Sequence, residues 1–297
     1  MHDDVKKLWK DRDRVVKAMT KDGLFRAAVI RSTGVARKAQ EQHALSPLAS
    51  LVLARALTGA SLIASFLKGE ERVTLNFEGD GAIGLVYAEA MQVGEVRGYC
   101  RENAMAEPTT DSILGNGLLK VQRVLYNNYE PVTGVVALRR GDVTSDLSYY
   151  LTQSEQIPSV VIIDVVYDQE NNVREAAGLI VQAMPGASNE AIFKAYDALD
   201  YLERLTSFID SGVSLEEIVR KVLPGDADVL SSTPVDFFCR CSIDRFKAAL
   251  LTLGLKEIDS MHRDGHHELM CQYCSTQYNL TEQDFAEMRE VLLAQRN

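Results

Sequence analysis

The stretch Ser46-Pro47-Leu48-Ala49-Ser50-Leu51-Val52-Leu53-Ala54-Arg55-Ala56-Leu57-Thr58-Gly59-Ala60-Ser61-Leu62-Ile63-Ala64-Ser65-Phe66-Leu67 decides the fold. Ser46-Pro47 is a helix start: a hydroxyl able to cap, then a proline whose fixed φ and missing N–H suit the first turn. From Leu48 to Leu67 the chain is apolar on nearly every side, which predicts one long helix. Its length would cross a bilayer, yet Arg55 sits inside it, Thr58, Gly59, Ser61 and Ser65 dilute it, and no second such run exists. The reading is therefore no membrane span but a helix buried in the core and covered on more than one side, with sheets as candidate cover. Arg55 then needs a partner.

Strands are expected on both sides of this helix. Leu24–Ser32 mixes Phe25, Ala27 and Val29 with polar neighbours, and Arg72–Glu78 alternates, with Val73, Leu75 and Phe77 on one face. Ala82–Ala90 and Val93–Cys100 continue a meander. Between the first two of these lies Gly79-Asp80-Gly81-Ala82-Ile83-Gly84, which has the dinucleotide spacing. That motif needs a helix N-terminus next, whereas Leu85-Val86-Tyr87 reads as strand, so the glycines are assigned to a hairpin turn. Leu118–Leu125 and Gly134–Arg139 are two further strands, turned by Asn127–Pro131. Ser145-Asp146 is expected to cap a short helix Asp146–Gln156. Val160–Tyr167 and Val173–Gln182 form a hairpin across Asp168–Asn172.

The expected architecture is α+β, with residues 1–185 as the core domain. After Met184-Pro185-Gly186 the pattern turns helical: Ser188 caps Asn189–Asp210 and Ser214 caps Leu215–Leu223. Residues 186–232 read as a helical linker. Residues 233–297 form a third piece, with a helix Ser242–Leu253, a polar loop, a strand-turn and a final helix Thr281–Ala294. This piece has little apparent core and is small enough to need a staple.

Its cysteines supply a candidate. Cys239-Arg240-Cys241 and Cys271-Gln272-Tyr273-Cys274 hold four of the five cysteines in the chain. Two tight pairs can aim four soft thiolates at one point, the donor set of tetrahedral zinc. Buried free cysteines, resting disulfides, or a three-Cys, one-His set drawing on His262, His266 or His267 are the alternatives, and a solvated loop is the expected place of those histidines. Closing the C-x-C pair as a disulfide makes a small strained ring, and strained disulfides are the labile, regulatory kind. The site reads as a switch. A hydrolytic zinc site would want an open position, and a thioredoxin-like motif would sit at a helix start beside a βαβ unit, so no enzyme is expected. Cys100, alone at a strand end, reads as a buried structural thiol.

At 297 residues, 46% hydrophobic, 25% charged and formal net charge −10, the chain has an ordinary globular composition. The acidic balance argues against a nucleic-acid partner. Met1–Trp9 lacks the apolar core of a secretory signal, so a cytoplasmic location with reduced thiols is expected.

Together with Gly79-Asp80-Gly81, Val96-Arg97-Gly98-Tyr99, Ser154-Glu155-Gln156-Ile157-Pro158, Ala176-Ala177-Gly178, Gln182 and Pro185, the cysteine pattern closely resembles the redox-regulated 33-kDa heat-shock chaperones of bacteria. The resemblance covers the whole chain. It implies a core of β/α/β layers around a buried helix, a helical linker, and a zinc-stapled redox-switch module. It implies zinc on Cys239, Cys241, Cys271 and Cys274 in an inactive reduced form. Oxidation would then form Cys239–Cys241 and Cys271–Cys274 disulfides, expel zinc, unfold module and linker, and expose apolar surface to unfolded client proteins without ATP, with a homodimer as the active form. Release of Leu199, Leu202 and Leu205, if they rest on the zinc module, would supply that surface. The rival is a purely structural zinc module for nucleic-acid or protein docking, for which Arg240, Arg245, Lys247 and Lys256 would be the basic face, though Glu257, Asp259, Asp264, Glu268, Glu282 and Asp284 surround them.

Overall fold

The computed structural model describes residues 12–104, 113–125, 130–200 and 204–294. The readings of Met1–Trp9, and of most of the Asn127–Pro131 turn, fall outside these residues. The chain divides into two compact units, through Phe238 and from Cys239 onward.

In the first unit, strands β1 (Arg14–Thr20), β2 (Phe25–Arg31), β8 (Ser159–Tyr167), β9 (Val173–Ala183) and β10 (Ala227–Pro234) form one sheet in the order β10-β1-β2-β9-β8. Strands β3 (Arg72–Gly79), β4 (Ile83–Met91), β5 (Glu95–Glu102), β6 (Gly117–Val124), β7 (Val132–Ala137) and the two-residue β11 (Asp236–Phe237) form a second, ordered β11-β5-β4-β3-β6-β7. Helix α1 (Thr33–His43) precedes α2 (Pro47–Ala64), and α2 touches β3, β4 and β5 on one side and β2, β8 and β9 on the other. This is the long apolar helix, sandwiched between the sheets, with Leu53, Leu57 and Leu62 wholly inaccessible.

Small residues let the sheets come this close. A Cβ on Gly178 of β9 would stand 2.6 Å from Thr58 Cγ2, and one on Gly98 of β5 would stand 3.1 Å from Leu57 Cδ2. The polar residues diluting α2 are satisfied locally: Thr58 and Ser61 donate to the carbonyls of Ala54 and Leu57. Ser46 Oγ accepts the Ala49 N–H, capping the first turn. Arg55 finds its partner in Asp142, at 2.5 Å.

Several expectations need correcting. Strand β1 and helix α1 carry weak signals in the sequence, because Lys17 interrupts the apolar run of one and Arg37, Lys38 and Gln40 make the other largely polar. Helix α3 (Val143–Gln153) starts a turn earlier than expected, with Asp142 as its cap. Asp146 instead receives the N–H groups of Arg139, Arg140 and Asp142, closing the loop that precedes the helix. The expected helix Asn189–Asp210 is two pieces, α4 (Asn189–Asp200) and α5 (Leu205–Asp210). Helix α6 (Leu215–Lys221) comes next, with a complete capping box between Ser214 and Glu217. The last part of the presumed helical linker is strand β10, paired with β1 along its length. Gly79 to Ala82 turns the chain between β3 and β4, the hairpin expected in place of a dinucleotide loop. There, a Cβ on Gly79 would lie 1.9 Å from the Leu114 carbonyl.

The second unit carries α7 (Ile243–Leu251), α8 (Leu255–Arg263), the hairpin β12 (Glu268–Met270) and β13 (Gln277–Asn279), and α9 (Glu282–Ala294). The expected polar loop is thus helix α8, whose Leu255, Ile258 and Met261 carry helical spacing. The unit has a small core, in keeping with the little core expected: Ile258, Leu280, Phe285, Met288 and Leu292 are buried together, with Ile243, Leu250 and Leu269 packed around them. It is small, five buried side chains, well short of what an independent domain of this size needs.

Candidate metal centre

Cys239 and Cys241 lie just before α7, which Ser242 caps by accepting the Arg245 N–H. Cys271 and Cys274 lie in the turn joining β12 to β13. That turn is closed by Cys271 N–H on the Thr276 carbonyl and by the N–H groups of Cys274 and Ser275 on the Cys271 carbonyl, with Ser275 at φ +54°. Successive N–H groups folded round one sulfur-bearing residue leave both side chains of the C-x-x-C pair on the same side.

All four sulfurs lie within 4.8 Å of one another. Cys239 Sγ is 3.7 Å from Cys271 Sγ, and Cys241 Sγ is 3.5 Å from Cys274 Sγ. A tetrahedron with arms of ~2.3 Å, the zinc–sulfur length, has edges of ~3.8 Å. The donor set therefore fits a closed four-thiolate metal site, and no fifth donor is called for. All four cysteines are free thiols; Cys271 and Cys274 are buried, and Cys239 and Cys241 are half-buried.

Two hydroxyls address the sulfurs. Tyr278 Oη lies 3.1 Å from Cys241 Sγ, its ring 5.3 Å from that of Phe246, and Thr276 Oγ1 lies 3.2 Å from Cys274 Sγ. Sequence reasoning missed both. Thr276 lies just before β13 and Tyr278 within it, and nothing in their spacing from the cysteines marks them. Burial pushes the Cys271 thiol up. It pushes Cys241 up as well, against the Tyr278 hydrogen bond. At Cys274 burial also acts upward, but the Thr276 hydroxyl and N–H and the neighbouring sulfurs outweigh it and hold the thiol down at about 7. A thiol so poised is readily ionised and nucleophilic.

The histidines do not join the cluster. His262 stacks on Phe285 at 4.7 Å and bonds Glu282 at 2.7 Å, and His267 meets Phe285 edge-on and bonds the Leu280 carbonyl. His262 and His267 are packing residues of the small core, correcting the solvated-loop expectation; His266 alone is exposed. Cys100 belongs to the first unit, where it is half-buried rather than buried, its thiol faces the Ala49 carbonyl, and burial pushes it up to about 12. On the expected basic face, Lys247 is neutralised by Asp284 and Glu287, each at 2.7 Å.

The family model described as Hsp33 protein matches residues 13–281. This chain belongs to the Hsp33 family. It is 36% identical over 288 residues to the 33 kDa chaperonin of Bacillus velezensis, covering 94% of this chain and 98% of that protein. The 33 kDa chaperonin of Bacillus subtilis is 36% identical over 287 residues, with the same coverage. The crystal structure of the 33 kDa chaperonin (heat shock protein 33 homolog) of Thermotoga maritima superposes with a TM-score of 0.83 at 30% identity, over 95% of this chain and 99% of that one. As a member of the Hsp33 family it is a chaperone, and its architecture is the family's mixed α+β fold with a C-terminal cysteine cluster.

Proposed function

We propose that this chain is a redox-regulated, ATP-independent holdase of the cytoplasm, whose reduced form holds zinc on Cys239, Cys241, Cys271 and Cys274. The observation that carries the reading is the convergence of four sulfurs at tetrahedral spacing within an Hsp33-family chain. Bound there, zinc would keep the sulfurs ionised and staple the C-x-C segment to the β12–β13 hairpin.

Oxidation by peroxide proceeds on the sulfurs themselves. A thiolate attacks one peroxide oxygen and the O–O bond breaks, leaving a sulfenic acid and hydroxide; the second thiolate of the pair then displaces hydroxide and the S–S bond forms. Two electrons pass from each pair to one peroxide, and two protons taken from solvent complete two waters. Sulfurs in a disulfide carry no charge and no longer hold a metal. The pairing Cys239–Cys241 and Cys271–Cys274 is supported by the family likeness and by the low entropy of closing such short loops. The 3.5 and 3.7 Å contacts run between the pairs, so disulfide mapping is part of the test.

In working terms residues 1–185 are the core, 186–232 the responsive linker and 233–297 the switch. Leu199 of α4 and Leu205 of α5 are buried on the first sheet, in one cluster with Val16, Phe25, Val29 and Leu179. Leu202 lies outside the described residues; the sheet covers the other two, so undocking the helices would bare apolar side chains on both the helices and the sheet. Unfolding client proteins would bind this surface, with a homodimer as the active form. Neither membrane nor nucleic acid has a part in the scheme.

The test is zinc release. Reduced protein treated with peroxide at raised temperature should release about one zinc per four thiols lost, in step with the onset of aggregation suppression. Zinc that stays bound through wide ranges of peroxide and hypochlorous acid would make the metal purely structural. Cys239→Ser with Cys241→Ser should weaken zinc and loosen control.

A further inference from the structure

The segments Ser154-Glu155-Gln156-Ile157-Pro158 and Gln182 to Pro185 carry part of the family signature, yet they take no part in the metal centre. In the first unit they lie side by side: the Ala183 N–H donates to the Pro158 carbonyl, and the Gln182 amide donates to Ser159 Oγ. A cavity of about 480 Å³ opens between them, walled by Ile157, Pro158, Met184, Pro185 and Ile192 and by Arg26. At its lip Gln156 holds φ +56°, a left-handed conformation that a residue with a side chain seldom adopts and that gathers at binding sites. A smaller cavity of about 70 Å³ shares Arg26 and Ile157 as walls and is lined further by Arg123, Glu155 and Phe66.

The charges in these walls do not balance. Glu155 is taken by Arg123 at 2.6 Å. Arg26 gives its Nε–H to the neutral Gln182 at 2.9 Å and lies 4.2 Å over the Phe66 ring, and among the described residues no carboxylate pairs with it. Two guanidiniums, with the Lys17 ammonium nearby, against one carboxylate leave surplus positive charge in a partly buried place. Burial first, and then the nearby Arg123, hold Arg26 below the usual arginine range against the weaker pull of Glu155, and Lys17 is depressed by its own burial and by Arg26. Arg123 has in addition a buried Nε with no acceptor. Uncompensated buried donors of this kind mark a place where an anion is missing.

We propose that these adjoining cavities bind a small aliphatic monocarboxylate, its carboxylate on Arg26 beside Arg123 and its hydrocarbon tail along Ile157, Pro158, Met184, Pro185 and Ile192. The surplus positive charge selects an anion, and a single carboxylate suits the one guanidinium that no carboxylate bonds. A planar carboxylate matches a guanidinium edge, and the volume lies in the range of small-ligand sites. The site is independent of the metal centre, so it stands or falls apart from the redox reading.

The test uses the full reduced chain and sodium octanoate below its micellar range, followed by calorimetry. Saturable one-to-one binding is expected, with octanol, acetate and octylamine binding at least about tenfold more weakly, since each lacks the anion, the tail or the right sign. Arg26→Gln should weaken octanoate by about tenfold. Asn189→Trp, at an exposed position on the cavity rim, should weaken it too while leaving Arg26 and its contacts in place, which guards against a folding defect in the first variant. Octanoate and octanol binding alike, or affinity unchanged in both variants, would overturn the proposal. So would an apolar peptide with a free C-terminal carboxylate binding where octanoate does not.

Discussion

Tyr278 shows how much one hydroxyl can decide. When Cys241 is a thiolate the phenol must donate to it across their 3.1 Å separation, and a hydrogen bond to a charged acceptor contributes ~1.5–3 kcal/mol. That stabilisation is lost as the sulfur gives up its charge in a disulfide, so the hydroxyl favours the reduced state. Tyr278→Phe keeps the ring beside Phe246 and removes only this bond. Peroxide oxidation of Cys241, followed by mass mapping, should then run about tenfold faster with the core's melting temperature unmoved; equal rates would leave the hydroxyl without a role. Asp13 makes a second case. It is 7% exposed, accepts the Val35 N–H at 2.7 Å at the start of α1, and is raised to about 6, mainly by burial, with Arg31 opposing and Glu175 assisting. A carboxyl with a raised folded pKa binds its proton more readily folded than unfolded. Its ionisation therefore costs stability above pH 6, and the cost is relieved as pH falls from about 6 towards 4, by roughly 1–3 kcal/mol. Urea midpoints of the first unit should rise across that window relative to Asp13→Asn, and parallel profiles for the two proteins would refute it.

At the level of elements, the contact between α2 and the sheets is set by small residues. Gly178→Ala would place a methyl 2.6 Å from Thr58 Cγ2 and 3.0 Å from Leu62 Cδ1. Both neighbours are fully buried, so overpacking should cost ~1–3 kcal/mol, read as a lower denaturant midpoint. Elements with a strong period or a clear cap were legible in sequence: α2 from Ser46-Pro47, α6 from Ser214, and β3 from the alternation of Val73, Leu75 and Phe77. The ones missed were those whose signal comes from distant partners. Strand β10 is polar on one face and short of β-branched residues, and it is a strand because β1 offers an edge to it. Helix α8 hides its apolar stripe of Leu255, Ile258 and Met261 among charges. The four cysteines of the candidate centre were legible from spacing alone, whereas Tyr278 and Thr276 act through geometry that spacing does not encode.

On the scale of the whole molecule, the two units hold themselves together by different means. The first has an extensive apolar core, around α2 between its sheets and on the far face of the first sheet, and the second has a core cluster of five buried side chains and four sulfurs. Removing metal with a chelator under reducing conditions should therefore abolish amide protection in residues 239–294 while the β-sheet core keeps its own, as hydrogen exchange would record. Loss of protection in both units together, or in neither, would contradict the division.

The order of pairing in the first sheet bears on how the chain is made. Helix α2 is complete once residue 64 has been synthesised, but β2, one of its cover strands, has only β1 beside it until β9 arrives to pair through partners such as Arg26 and Gln182, and the outer edge of β1 stays open until Ala227–Pro234. A ribosome adding ~5–20 residues per second must run on for over a hundred residues before the second cover arrives. For those seconds an 18-residue apolar helix with the hydropathy of a membrane span has α1, the β1–β2 hairpin and the meander against it but lacks β8 and β9. Such late, long-range closure makes for slow folding and an exposed nascent chain, so yield during synthesis should depend on translation speed and on helpers at the tunnel exit more than on the stability of the finished fold.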